Sequence, residues 1–191
     1  MARQQRQRGG IVNSRDCPGR RNVYTLSGMD NGQYNEKQNL ITPGGYEKLV
    51  AELRHLADVE RPRVVDEVHQ AALQGDRSEN AEYIYGKKRL REIDKRMGFL
   101  KRRLDAAKVI DPTRQTGNRV LFGATVQLED EDGSTKSWQI VGEDEADPSR
   151  QKVSWKSPLG RAVMRREPGD SITVHTPRGP RDMVILSVQF G

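Results

Sequence analysis

Aromatic residues, cysteine and long apolar runs are all scarce in this 191-residue chain, and each scarcity excludes a class of protein. Only 5% of the residues are aromatic and 34% are apolar, whereas 31% are charged, which is too little apolar surface for one large core. The single Cys17 cannot form an internal disulfide. No apolar stretch reaches the roughly 20 residues of a membrane helix, and no signal peptide is recognisable. The composition predicts a soluble, cytoplasmic protein without a membrane partner.

The signatures of a self-contained active site are also missing. The sequence contains no phosphate-binding loop, no nucleophile spaced from a base and no zinc-ligand spacing. His175 stands alone in a predicted strand, where a role in packing or on the surface is expected. We therefore expect no cofactor bound by this chain on its own.

The net charge of +6 is unevenly distributed. Residues 1–40 carry seven Lys or Arg against three acids, residues 41–110 fifteen against twelve, and residues 111–191 eleven against twelve. The first segment has too few apolar residues to fold alone. It is either a flexible basic arm that contacts nucleic acid non-specifically or a disordered tail, unless translation begins at Met29.

What the chain does have is a heptad pattern over residues 41–110, which predicts two antiparallel helices joined by a short turn. The second run places apolar or small residues alternately four and three positions apart: Gly86, Leu90, Ile93, Met97, Leu100, Leu104 and Ala107. The first run answers with Tyr46, Leu49, Leu53 and Leu56, and then with Val64, Val68 and Ala71. Helices are thus predicted from Tyr46 to about Gln74 and from Glu79 to about Lys108, with Thr42 as N-cap and Pro43 as first residue. The eight-residue step from Leu56 to Val64 indicates a stutter, and Pro62 should bend the helix there.

Two acids, Asp76 and Glu79, occupy the turn between these runs. Asp-x-x-Glu is a capping-box pattern, which is sufficient to explain a pair at this spacing. Alternatively, two carboxylates less than one turn apart can jointly hold a hard divalent cation, whose bound water then becomes a nucleophile towards a phosphodiester. Two acids alone bind Mg²⁺ weakly, so a partner would have to supply the other ligands.

A stripe of basic residues follows the second helix. Lys88, Arg91, Lys95 and Arg102 recur at spacings of three, four and seven, and Lys87, Arg89, Arg96, Lys101 and Arg103 flank them. Such a stripe can follow a phosphate backbone, or it can be the solvated decoration of a coiled coil.

Beyond a linker at residues 111–119, residues 120–191 predict a small α+β module of antiparallel strands with one short helix. The predicted strands are Val120–Leu128, Ser134–Val141, Lys152–Trp155, Ser171–Thr176 and Asp182–Gln189. An acidic loop is expected at Gly142–Arg150, and the helix begins at Ser157-Pro158.

Several separated motifs, in order over about residues 40–190, resemble the bacterial Gre family of transcript-cleavage factors, and its GreB branch more than GreA. They are Ile41-Thr42-Pro43-Gly44-Gly45-Tyr46-Glu47-Lys48-Leu49, Glu60-Arg61-Pro62, Gly75-Asp76-Arg77-Ser78-Glu79-Asn80-Ala81-Glu82-Tyr83, Lys87-Lys88-Arg89-Leu90-Arg91-Glu92-Ile93-Asp94, Phe122-Gly123-Ala124, Ile140-Val141-Gly142, Ser157-Pro158-Leu159 and Pro168-Gly169-Asp170. In that family an acid commonly precedes Ser-Pro, where this chain has Lys156, and Ala is usual where it has Gly160.

The resemblance implies a DNA-associated transcription elongation regulator that acts on RNA polymerase and is not an enzyme alone. Its C-terminal domain, FKBP-like in fold, would dock beside the polymerase secondary channel, and Ser157 and Pro158 match the docking region. The coiled coil would enter the channel, where Asp76 and Glu79 help hold a Mg²⁺ shared with the polymerase active site and stimulate cleavage of backtracked RNA. Lys87, Lys88, Arg91 and Lys95 would guide the 3′ end of that RNA.

Two other functions compete with this one, and a monomer is expected in each case. A non-catalytic relative would occupy the same channel and inhibit, although the retained Asp76 and Glu79 argue against it. A folding helper built on the FKBP-like module would need an aromatic pocket, for which only Trp138, Trp155 and Phe190 are strong candidates.

Overall fold

The structure is a computed structural model, which describes residues 39–73, 80–177 and 179–191 and the backbone of residues 23–24. In chain order the helices and strands are β1 (Val23–Tyr24), β2 (Asn39–Ile41), α1 (Pro43–His55), α2 (Arg61–Leu73), α3 (Ala81–Asp105), β3 (Ala107–Ile110), β4 (Thr125–Asp130), β5 (Thr135–Val141), β6 (Lys152–Ser154), α4 (Pro158–Val163), β7 (Ser171–Thr176) and β8 (Gly179–Gln189). The predicted α+β class, a helical hairpin followed by a sheet with one short helix, is confirmed.

The hairpin forms along the predicted seam. Thr42 caps α1 by accepting a hydrogen bond from the Gly45 N–H at 3.1 Å, and Pro43 is the first helical residue, as the sequence indicates. The seam buries apolar side chains from both helical runs: Leu49, Leu56, Val64, Ala71, Ile93 and Leu100. The helices pack very closely at Gly86, because a Cβ there would lie 2.4 Å from Cγ2 of Val68. Glycine is thus required by packing, despite its cost of about 1 kcal/mol in a helix.

The predicted stutter is a π-helical turn at Leu56–Glu60, between α1 and α2. Its wider spacing shows in the hydrogen bond from the Arg61 N–H to the Leu56 carbonyl, five residues back. Pro62 has no N–H to donate, so an ordinary α-helical bond to the residue four positions earlier is impossible. One extra residue in this turn lets Leu56 and Val64, eight apart, both face the seam.

A three-stranded parallel sheet in the order β1-β3-β2 lies at the base of the hairpin, and the sequence did not predict it. Val23–Tyr24 and Asn39–Leu40 are strand residues although they fall in the segment expected to be a disordered arm, and β3 begins at Ala107 where helix was expected to continue. Successive side chains on a strand point to opposite faces. Leu40 and Ile110 accordingly join the core of the C-terminal sheet. Their neighbours in sequence, Ile41 on β2 and Val109 on β3, join the core of the hairpin.

The C-terminal sheet has five strands in the order β6-β5-β4-β8-β7. The predicted hairpins are present, and Gly133 at φ +77° makes the turn between β4 and β5. Three details differ from expectation: the first strand begins at Thr125 and not at Val120, the last begins at Gly179 and not at Asp182, and β6 pairs with β5 in parallel. On β7, Ile172 and Val174 face the core, while His175 is exposed.

Candidate functional site

The two turn acids, Asp76 and Glu79, lie outside the described residues, but the helix ends that flank them are described. α2 ends at Leu73, and Asn80 is the N-cap of α3. The Asn80 Oδ1 accepts from the Glu82 N–H at 3.1 Å and the Tyr83 N–H at 3.2 Å. The N-cap of α3 is therefore Asn80 and not Asp76, and the contacts of Asp76 itself lie outside the described residues.

Asn80 also closes the end of the hairpin. Its Nδ2 donates to the Ala71 carbonyl of α2 at 2.9 Å, which joins the last turn of one helix to the first turn of the next. Only six residues, 74–79, connect these two ends. The chain that carries both acids must therefore start and finish at this closed end.

Three arginines of α3, seven residues apart, pair with acids across the hairpin or at its base. Arg89 contacts Glu60, with Nε 3.1 Å from Oε1, and Arg96 contacts Glu52 at 2.6 and 2.9 Å. Arg103, in the last turn, binds Asp144 at 2.8 Å. The hydrogen bond that Arg89 donates to Glu60 raises the pKa of Arg89, and the one that Arg96 donates to Glu52 raises the pKa of Arg96. These arginines, which we call the paired line, serve the fold.

The four cations predicted to guide RNA behave differently. Lys87, Lys88, Arg91 and Lys95 are exposed, and none forms an ion pair with another described residue. Their contacts are local: the Lys87 ammonium lies 5.8 Å from the Tyr83 ring centroid, and Arg91 donates to the Lys87 carbonyl at 3.2 Å. We call these four residues the open line. Cations without a protein partner can exchange their counterions for the phosphates of a polyanion.

Two exposed apolar side chains, which were not predicted from the sequence, lie beside the open line at the closed end of the hairpin. Ile84 is 52% exposed and Tyr85 is 71% exposed. Ile84 precedes Lys88 by four residues and therefore continues its face of the helix. An exposed tyrosine next to lysines is a surface on which a nucleotide base can stack.

The predicted docking segment is a tight turn into α4. The Ser157 Oγ accepts from the Gly160 N–H at 3.0 Å and donates to the Ser154 carbonyl at 2.7 Å. Its hydroxyl thus shapes the turn, and the neighbouring Pro158 is the exposed residue. Gly160 is required here, because a Cβ would lie 2.2 Å from the Ser154 oxygen.

A cavity of about 430 Å³ lies beside this segment on the C-terminal sheet. Leu159, Trp138, Val174 and Met183 give it a largely apolar wall, which also includes the ion pair of Arg181 with Asp130. A side chain of a binding partner could enter it next to Pro158.

Among the described residues no group of three or more His, Cys, Asp or Glu side chains could hold a metal ion. Within the same residues, no helix is both long enough and apolar enough to span a membrane. The described residues offer exposed cations and a largely apolar cavity as candidate binding surfaces.

Comparison with known proteins gives a consistent family. Residues 39–109 match the model described as the N-terminal domain of transcription elongation factors, and residues 115–190 match the GreA/GreB C-terminal model. The transcription elongation factor GreB of Neisseria meningitidis serogroup B is 47% identical over 81% of this chain and 96% of its own length. That of Pseudomonas aeruginosa is 48% identical over 79% of this chain and 90% of its own. The solved structure of the GreA factor homolog 1 protein of Thermus thermophilus is 24% identical over 80% of this chain and 99% of its own, with a TM-score of 0.37. This chain belongs to the GreA/GreB family of transcription elongation factors, and it resembles the GreB branch.

Proposed function

We propose that this factor binds bacterial RNA polymerase in the cytoplasm, inserts its helical hairpin into the secondary channel and stimulates cleavage of backtracked nascent RNA. The observation that carries the proposal is the open line, because its cations lead along α3 to the closed end of the hairpin, where residues 74–79 begin and end. A partner with a phosphate backbone would be drawn along this face towards Asp76 and Glu79.

The two acids would complete a site that the polymerase mainly supplies. Two carboxylates are too few ligands for Mg²⁺, so a shared ion would take its remaining ligands from the partner. When bound, such an ion lowers the pKa of a water molecule and makes it a nucleophile. The proposal thus assigns to this chain the delivery of two carboxylates and to the polymerase the cleavage itself, which makes the factor an accessory and not an enzyme.

Docking is assigned to the C-terminal sheet. Pro158 and the mouth of the adjacent cavity give an exposed, mainly apolar contact next to a rigid turn. Lys156, where an acid is common in the family, is not free to contact a partner in the same way, since its ammonium lies 3.2 Å from Glu143. The monomeric state and the contact of residues 1–40 with nucleic acid stay predictions.

The test is a transcript-cleavage assay on stalled, backtracked elongation complexes with Mg²⁺. The wild-type chain is compared with Asp76→Asn/Glu79→Gln, which removes both charges with little change in shape. A matched control is Asp66→Asn/Glu67→Gln, an exposed Asp and Glu on α2 that lie seven and six residues before Leu73. Polymerase binding is measured in parallel by co-elution.

We expect the wild type and the control to release short 3′ fragments and the double variant to release none, while all three bind polymerase. Equal cleavage by wild type and double variant would remove the two acids from the mechanism. Polymerase binding by all three without any cleavage would favour the alternative, a channel-binding inhibitor.

A further inference from the structure

We propose that the acidic turn Gly142–Glu145 is a positioning clamp, which holds both helices of the hairpin and the docking segment in one fixed relation. The inference rests on the proposed function, because it concerns the position that the closed end of the hairpin takes inside a docked polymerase. Its side chains act through Thr42, Arg103 and Lys156, which they hold, so we class them as positioning residues.

The first hold is on α1. Glu145 accepts hydrogen bonds from the Thr42 N–H at 2.9 Å and from the Thr42 hydroxyl, and Thr42 is the N-cap of that helix. The approach is so close that a Cβ on Gly45 would lie 2.2 Å from the Glu145 carboxyl carbon. The same carboxylate accepts from its own Gly142 N–H at 3.3 Å, which fixes its orientation.

The second hold is on α3. Arg103 donates from Nε to Asp144 at 2.8 Å and from Nη2 to Glu143 at 3.1 Å, which is a forked contact to two carboxylates. The side chains of Arg103 and Asp144 are only 23% and 13% exposed. Asn39 of β2 adds a bond from Nδ2 to the Arg103 carbonyl at 2.9 Å. Planar, charge-assisted contacts of this kind fix direction as well as distance.

The third hold is on the docking segment. Glu143 also contacts the Lys156 ammonium at 3.2 Å, and Lys156 immediately precedes Ser157. Burial alone would raise the pKa of Glu143, but the hydrogen bonds from Arg103 and Lys156 outweigh it and hold the pKa below its usual range. The carboxylate is therefore charged at neutral pH and joins the base of α3 to the docking turn.

The geometry of a lever explains why this matters. The 25 residues of α3 span about 37 Å, so a rotation of about 10° at the base displaces the far end by about 6 Å. A misplacement of about 1 Å can reduce a reaction about 100-fold. Three adjacent acids, which between them hold α1, α3 and the docking segment, restrict that rotation where it is most effective.

The direct measurement is the distance between two spin labels by pulsed electron resonance. In a Cys17→Ser background, labels are placed at Leu73→Cys, at the end of α2, and at Leu186→Cys on β8; these side chains are 69% and 40% exposed. The clamp variant is Glu143→Gln/Asp144→Asn, and the matched control is Glu92→Gln, which removes an ion-pair acid from mid-α3. Arg103→Lys, which retains charge but loses the fork, is the second variant if the first does not fold.

We expect a narrow distance distribution in the wild type and the control and a broad one in the clamp variants. In unlabelled protein, cleavage at saturating factor should fall about tenfold or more, with less than about a twofold change in the half-maximal concentration. An unchanged distribution, or weaker binding with an unchanged maximal rate, would overturn the inference. Failure of wild type to stimulate cleavage would refute the proposed function and leave the distance measurement as an independent test of the clamp.

Discussion

Two lines of cations run along the same helix, α3. One forms ion pairs with acids of the protein, and the other forms none among the described residues. The paired line of Arg89, Arg96 and Arg103 meets acids of α1, of the π-helical turn and of the Gly142–Glu145 turn. The open line of Lys87, Lys88, Arg91 and Lys95 meets no acid among the described residues. The difference is one of position relative to the seam: the paired residues flank it, whereas Lys88, Arg91 and Lys95 point away from it.

Basic residues on one coiled coil thus have different roles, which depend on their position relative to the seam. A residue next to the seam is within reach of the opposite helix and contributes to packing and register. A residue on the outer face has only solvent or a partner to contact. Charges of the second kind carry the proposed function, and removing them should leave the fold intact.

The largest expected effect comes from reversing the open line. Lys88→Glu/Arg91→Glu/Lys95→Glu should weaken binding to single-stranded RNA about 100-fold at moderate salt, because three phosphate contacts are lost. The slope of log affinity against log salt should fall by about 0.7 for each contact. A fluorescence titration over a range of salt concentrations measures both quantities. An unchanged slope would show that these cations do not contact phosphate.

The next effect concerns the most buried member of the paired line. Arg103→Gln leaves Asp144 and Glu143 without a charged donor, which should lower the free energy of unfolding by about 1.5–3 kcal/mol. Urea titration followed by tryptophan fluorescence is suitable, because Trp138 lies on β5 and Trp155 is buried in the core of the C-terminal sheet. The affinity of Arg103→Gln for RNA should equal that of wild type. If this variant bound RNA more weakly but were as stable as wild type, the distinction between the two lines would be contradicted.

A smaller effect is expected at the exposed middle of the paired line. Arg96 is 47% exposed, so Arg96→Gln should lower the free energy of unfolding by only about 0.2–1 kcal/mol. Thermal unfolding by circular dichroism at 222 nm, at low and high salt, measures it. The difference between wild type and variant should shrink with salt, and a loss above about 2 kcal/mol would mean that packing, not charge, dominates at this residue.

The smallest expected effect is a pH dependence at Glu143. The lowered pKa means that the folded state binds fewer protons than the unfolded state, so this carboxylate stabilises the fold above its unfolded pKa of about 4.3. That stabilisation is lost as the pH falls through the lowered folded value. Unfolding free energies of wild type and Glu143→Gln should therefore converge between about pH 5 and pH 3. A constant difference over that interval would contradict the sign of the shift.

The sequence predicts the hairpin well because its signal is local and repeated. The seam, the Thr42 cap and the irregularity between Leu56 and Val64 all follow from spacing, although spacing alone could not distinguish a supercoil adjustment from the π-helical turn. The exchange of Asn80 for Asp76 as the N-cap shows the limit of this reasoning, since both residues are good caps and only the helix start decides between them.

The junction was not predictable in the same way. Strands of two to four residues give no periodicity, and β1, β2 and β3 pair across long stretches of sequence. The acids at Glu143–Glu145 were recognised as an acidic loop, but their partners Thr42 and Arg103 are 103 and 41 residues from Glu145 and Asp144. The paired line could have been predicted, because Arg89, Arg96 and Arg103 recur every seven residues beside the seam.

The most direct test of the distinction between the two lines is a transcript-cleavage assay with matched charge removals. Lys88→Gln/Arg91→Gln/Lys95→Gln and Arg89→Gln/Arg96→Gln are compared with wild type on backtracked complexes, at concentrations that saturate polymerase binding. We predict that the open-line variant loses about tenfold or more of the cleavage rate while remaining as stable as wild type. The paired-line variant should retain its rate wherever it is folded. Equal loss in both variants, or full activity in the open-line variant, would contradict the assignment of the open line to RNA.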